Sequence, residues 1–170
     1  MSGEFALAVG PNVLVDGDFS AAQNPGSYST YAKGSHAIAG WTVTRATVDL
    51  IGTYWTAPGG RRSVDLDGTP GFGAIAQTFR TLPGAKYVTS FLLSANGECP
   101  PPVKRLRVSV GPAVAYFSAN SSAGVRQNAW PAKRVTFVAT RRLTTLEFAS
   151  MDAVGGDCGP VVAAISVRRV

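Results

Sequence analysis

Apolar and polar residues alternate in short runs along most of this chain, and no stretch keeps apolar positions at i, i+3, i+4 and i+7 for three helical turns. The runs are rich in Val, Thr, Phe and Leu and are bounded by Gly, Pro, Asn or Asp, the pattern of β-strands separated by turns. In chain order they predict strands at Asn12–Val15, Trp41–Thr44, Val48–Ile51, Ser63–Leu66, Gly73–Phe79, Lys86–Ser94, Lys104–Val110, Ala113–Ser118, Arg134–Ala139, Thr144–Ser150 and Val161–Val167. Turn signals fall about every 8–12 residues, and no period of about 40 residues repeats, which favours a two-sheet antiparallel β-sandwich (a jelly roll) over a propeller.

The alternation also assigns faces. In Val48–Ile51, Val48 and Leu50 share one face while Asp49 and Ile51 share the other. Trp41, straight after Gly40, reads as core, and Phe19 is expected to tuck back into the core after the turn Asp16-Gly17-Asp18. Val161–Val167 is almost continuously apolar and should be buried on both faces or paired centrally. Glu147, between Leu146 and Phe148, should face solvent. Ser20–Ala39 lacks an apolar pattern and reads as a long loop, whose Tyr28 and Tyr31 either stack on a sugar or pin the loop to the sandwich.

Composition narrows the class. The chain has 170 residues, most simply one domain at 11–170 behind a flexible segment at 1–10, with Met1–Phe5 read as an expression scar ahead of a mature secreted chain. Gly 19 and Pro 11 are too many for a helical protein. No run of 18 apolar residues exists, so no membrane span is expected. The opening MSGEFALAVG lacks the basic start and long apolar core of a signal peptide. The net charge of +6 is either a soluble basic surface or an attraction to an anionic partner. Among such partners nucleic acid ranks last, because the arginines are scattered in pairs without a nucleic-acid motif.

Cys99 and Cys158 are either two buried thiols or one disulfide; a bridge would close a loop of roughly 60 residues and add about 4 kcal/mol by loop entropy. With His36 as the single histidine, they do not make a zinc site. Asn120-Ser121-Ser122 fits the N-glycosylation acceptor, a match frequent by chance.

Candidate chemistry concentrates between Gly40 and Phe79. Tyr54 and Trp55 are adjacent, so an extended backbone would point them to opposite faces, with at least one near the surface. Arg61, Arg62 and Asp65 follow at once. An exposed ring stacks on the apolar face of a sugar while charged groups take its hydroxyls, so these five residues are the candidate carbohydrate-binding set. Asp65 and Asp67, two apart, would share a strand face, where they hold calcium, take sugar hydroxyls or simply end a strand in solvent.

Catalysis is not expected. His36 stands in a predicted loop without a nucleophile-elbow motif. Glu4, Glu98 and Glu147 do not suggest a paired acid and base.

Three ordered pieces resemble the cell-wall proteins of domain-of-unknown-function family 642 and the related bacterial choice-of-anchor C surface proteins. They are NVLVDGDF (12–19), HAIAGWTV (36–43) running into VDLIGTYW and GGRRSVDLDG, and the closing CGPVVAAISV (158–167). The resemblance implies a galactose-binding-like jelly roll, secreted to the cell wall or surface, non-enzymatic, with polysaccharide as ligand. It also implies a Cys99–Cys158 disulfide. It transfers no residue-level ligand site.

No cofactor is expected. In such sandwiches acids after the opening Phe and in the closing strand often hold a structural calcium. Here those positions look like Ser20 and Ala163, which puts a metal site in doubt and leaves Asp16, Asp18 and Asp157 as the acids of those regions. The expected function is therefore a non-catalytic carbohydrate-binding domain, with the net charge favouring an acidic cell-wall polysaccharide. The alternative is a structural or adhesion module that binds a protein partner such as a cell-wall enzyme.

Overall fold

Eleven strands form among the described residues, which in this computed structural model are 9–122 and 129–170. They are β1 (Tyr28–Ala32), β2 (Thr42–Arg45), β3 (Thr47–Ile51), β4 (Ser63–Asp65), β5 (Ala74–Arg80), β6 (Lys86–Ala95), β7 (Val103–Val110), β8 (Ala113–Asn120), β9 (Ala132–Val138), β10 (Leu143–Ser150) and β11 (Pro160–Arg169). The expected scar at Met1–Phe5 and the middle of the polar loop after Asn120 lie outside the described residues.

The strands make two antiparallel sheets, six-stranded in the order β1-β3-β4-β11-β6-β9 and five-stranded in the order β2-β5-β10-β7-β8. Their inner faces close on one core, so the chain is the all-β jelly-roll sandwich that its alternation predicts. Phe19, Trp41, Phe148, Phe91 and Phe117 form a string of rings through this core, with successive centroids 5.0–6.2 Å apart. Trp41 donates its indole N–H to the Asp16 carbonyl at 3.1 Å, so burial leaves no polar atom of that ring unsatisfied. The apolar β11 lies between β4 and β6, as a strand with two buried faces should.

Two expectations fail for local reasons. Asn12–Val15 is not a strand: beyond one bridge from Asn12 to Arg168, its backbone is held largely by side chains. The Asn12 carboxamide accepts from Leu14 N–H and Val167 N–H, and the Gln77 amide clamps both Val15 N–H and Val15 C=O. The chain then turns through Asp16-Gly17-Asp18. A Cβ on Gly17 would stand 2.0 Å from the Ile165 carbonyl oxygen, so only glycine allows Gly17 C=O to receive Ile165 N–H at the β11 bulge.

The supposed long loop Ser20–Ala39 contains β1, an edge strand paired to β3. One of its faces is exposed and the other only half-buried, so no apolar alternation marked it. Tyr31 packs against the core and pins the segment, while Tyr28 points to the outer face.

Candidate functional site

The tripeptide Val-Asp-Leu occurs twice, at 48–50 and 64–66. The β3–β4 register sets Asp49 opposite Asp65. The two valines and two leucines turn into the core, and the two aspartates therefore lie side by side on the outer face of the six-stranded sheet. A cross-strand row runs Thr30, Asp49, Asp65, Val161, Ser94 over β1, β3, β4, β11 and β6.

Residues 52–62 cover part of this face. The segment bends after β3, so Tyr54 and Trp55 do not point to opposite sides as an extended backbone would require. Both rings lie on the sheet, with centroids 5.4 Å apart. Trp55 is 6% exposed; it packs on Ile51 and Val161 and donates its N–H to the Ser63 hydroxyl at 2.9 Å. Tyr54 is half-buried and meets Tyr28 edge-on, with centroids 5.6 Å apart, while Tyr28 remains 42% exposed.

The Cys99–Cys158 disulfide, with Cα atoms 5.8 Å apart, staples two loops beside these rings. The residue before each cysteine is acidic, and both reach the same recess: Glu98 takes the Tyr54 hydroxyl at 2.9 and 3.0 Å, and Asp157 stands exposed at the rim. The result is a pocket of about 70 Å³ with an aromatic wall of Tyr28, Tyr54 and Trp55. Among the described residues its ionisable lining, the tyrosines aside, is acidic: Asp49, Asp65, Glu98 and Asp157.

The floor is already held in place. Asp49 accepts from the Thr30 hydroxyl at 2.6 Å and the Thr69 hydroxyl at 2.7 Å. Asp65 accepts from Asp67 N–H, Gly159 N–H and the Asn96 amide at 2.9–3.0 Å. Gly159 must be glycine there, because a Cβ would fall 2.5 Å from the Asp67 carboxyl carbon. Burial pushes the Asp65 carboxyl well above the usual carboxylate range; the charges of Asp67 and Asp49 add to this, and the Asn96 amide opposes it.

Of the five predicted site residues, Tyr54, Trp55 and Asp65 come together at the pocket, and the two arginines do not. Arg61 folds back on its own turn, donating to Pro58 C=O at 2.8 Å. Arg62 donates to Phe19 C=O and Ala22 C=O at 3.2 and 2.7 Å, tying the covering segment to the stretch before β1.

Asp67 does not line the pocket and does not end the strand in solvent. It is fully buried beside Asp152 and the fully buried Lys104, whose ammonium donates to Cys99 C=O at 3.0 Å. Burial, reinforced by the Asp152 charge, pushes the Asp67 carboxyl up to about 7. Glu147 does face outward, but its carboxylate pairs with Arg107 at 3.0 Å and accepts from Thr44 at 2.9 Å.

Asp49, Glu98 and Asp157 were not assigned to a sugar site from sequence, and Tyr28 was read either as stacking on a sugar or as pinning a loop. The repeated Val-Asp-Leu and the acid before each cysteine are the signals that mark three of them.

Comparison with known proteins agrees with this architecture. A family model described as "Protein of unknown function (DUF642)" matches residues 12–168. Halomucin of Haloquadratum walsbyi is 28% identical over 162 residues, covering 92% of this chain and 2% of halomucin. The chain thus spans about 2% of the length of that curated relative. Among solved structures, TmCBM61 in complex with beta-1,4-galactotriose superposes with a TM-score of 0.57 at 12% identity, covering 94% of this chain and 99% of that one. A CBM4 structure superposes with a TM-score of 0.54 at 12% identity, covering 92% and 99%. At such identities the likeness is one of fold.

Proposed function

From a chain that belongs to the DUF642 family, we propose a non-catalytic carbohydrate-binding module of an extracellular protein, with the Tyr28–Tyr54–Trp55 pocket as its glycan contact. The observation that carries the reading is the pairing of a partly open tyrosine wall with the exposed rim carboxylates Glu98 and Asp157, above the buried Asp49 and Asp65. Rings cover the C–H face of a sugar, and carboxylates accept its hydroxyls. The pocket is small, so it takes one edge of a sugar and leaves the rest of a chain on the surface. The sandwich fold supports the reading, since the superposed TmCBM61 holds beta-1,4-galactotriose. The disulfide supports an oxidising, extracellular setting.

The pocket favours a neutral glycan over a uronate at this site. Its carboxylates would repel a sugar acid, and the arginines expected to attract one are occupied elsewhere. Hydrolysis is not part of the proposal. Asp65 is buried with three donors already on its carboxylate, which leaves it no path to a glycosidic oxygen. The test is a neutral-glycan array followed by titration calorimetry on any hit. Tyr28→Ala and Tyr54→Ala should each weaken binding by about tenfold, or about 1.4 kcal/mol. Absence of any hit, or full affinity in both variants, overturns the assignment.

A further inference from the structure

The outer face of the five-stranded sheet carries a second, differently built surface. Along β8 the side chains of Val114, Tyr116 and Ser118 point outward, and Tyr116 is 69% exposed, more than any other large apolar or aromatic side chain among the described residues. The β7–β8 register sets Arg107 directly opposite Tyr116 and Arg105 opposite Ser118. Arg105 is thus the diagonal neighbour of the ring on the same face, within reach of a long side chain.

A groove of about 410 Å³ runs between Tyr116, Arg105, Ser118 and the half-exposed Met151, which is held there by its N–H bond to Arg105 C=O. A second recess of about 240 Å³ continues past Arg105 and Met151 toward Pro101 and Val154.

The charges differ in their commitments. Arg107 is paired with Glu147 at 3.0 Å, but its Nε–H is buried without an acceptor among the described residues. Asp152 accepts the Arg105 backbone N–H at 2.7 Å with one oxygen, and the Arg105 charge acts on its carboxyl from beyond ion-pair distance. The Arg105 guanidinium is exposed and makes no hydrogen bond or ion pair among the described residues. An open ring flanked by an exposed guanidinium without a hydrogen-bond partner is complementary to a flat ligand carrying both a C–H face and a carboxylate.

We propose that this groove is a second glycan-binding surface, selective for acidic polysaccharide, with Tyr116 stacking on a uronate ring and Arg105 pairing with its carboxylate. Its occupant is opposite in charge preference to that of the pocket, and the two sites lie on opposite faces of the sandwich. One module would then bridge a neutral and an acidic glycan chain. The bridging rests on the pocket reading; the groove itself does not.

The experiment is affinity electrophoresis and titration calorimetry against polygalacturonate, its fully methyl-esterified form and a neutral β-1,4-galactan. The proteins are wild type, Tyr116→Ala, Arg105→Gln, Tyr54→Ala and Arg141→Gln, with thermal melting to confirm that each is folded. Polygalacturonate should bind, more weakly in high salt and after esterification. Tyr116→Ala and Arg105→Gln should each lose about tenfold, while Tyr54→Ala and Arg141→Gln lose little.

Equal losses in Arg105→Gln and Arg141→Gln mean that net charge alone attracts the polymer and overturn the proposal. Loss in Tyr54→Ala with none in Tyr116→Ala overturns it by moving the acidic glycan to the pocket. Binding of galactan without polygalacturonate overturns the groove and leaves the pocket standing. Polygalacturonate bound through Tyr116 with no neutral glycan bound upholds the groove and removes the pocket.

Discussion

The two outer faces of this sandwich are made from the same kind of strand and dressed in opposite ways. On the six-stranded sheet, residues 52–62 and the loops carrying Thr69, Asn96 and Gly159 close over the surface, and Asp49 and Asp65 sit at 4% and 1% exposure. On the five-stranded sheet no such cover forms among the described residues, and Tyr116 stands open with arginines beside it. A covered face can hold carboxylates in fixed positions, at the cost of keeping them buried. An open face offers area and mobile charge, and little stability depends on it. The contrast relocates the basic balance of the chain: Arg61 and Arg62 are bound to carbonyls away from the pocket, and the exposed Arg105 stands on the opposite side.

The largest effect that tests this contrast should come from the cover itself. Trp55→Ala removes a buried ring and leaves the Ser63 hydroxyl unpaired, and should cost about 3–5 kcal/mol in urea denaturation. Tyr116→Ala, on the open face, should stay within about 0.5 kcal/mol. Similar costs for the two would erase the distinction.

Next comes pH. Asp67 has a folded value near 7, raised above 3.8, so the fold favours its neutral form. That contribution is complete below about pH 4 and is lost as pH rises toward 7; Asp65, also raised, acts in the same direction. The protein should therefore be more stable at pH 5 than at pH 8, by on the order of 3 kcal/mol if Asp67 titrates through the full interval. Asp67→Asn should flatten most of that slope. An unchanged slope in the variant would show that the buried acids do not control it.

A smaller effect separates the two arginines beside the cover. Arg62→Ala loses two hydrogen bonds to the stretch before β1 and should cost about 1–3 kcal/mol. Arg61→Ala, exposed and bonded only within its own turn, should cost less than about 0.5 kcal/mol. Neither should change glycan affinity. Loss of binding in either, with the fold intact, would return the arginines to the site.

Much of the fold was legible because its signals are local. Period-two alternation and turn residues placed ten of the eleven strands within a few residues of their observed bounds. The missed strand, β1, is an edge whose two faces are both polar enough to hide the period. The false one, Asn12–Val15, has an apolar pattern but gives much of its hydrogen bonding to Asn12 and Gln77, and Gln77 lies 62 residues from Val15. The site was legible in part. Tyr54, Trp55 and Asp65, which line the pocket, stood out because aromatics and acids cluster in one segment. Arg61 and Arg62 lie away from the pocket because proximity in sequence does not say which carbonyls a guanidinium will reach.

By itself the sequence determined ten of the eleven strands, their inward faces and the family, since each depends on neighbours one or two positions apart or on ordered motifs. Only the tertiary structure decided that Asp65 stands opposite Asp49 and that Asp67 lies outside the pocket, because cross-strand register, unlike alternation, is set by pairing between segments. Only it brought Glu98 and Asp157 to the same pocket, through a disulfide that joins residues 59 positions apart. And only it separated the acids from the arginines, because which face of a sandwich is covered depends on where residues 52–62 come to rest.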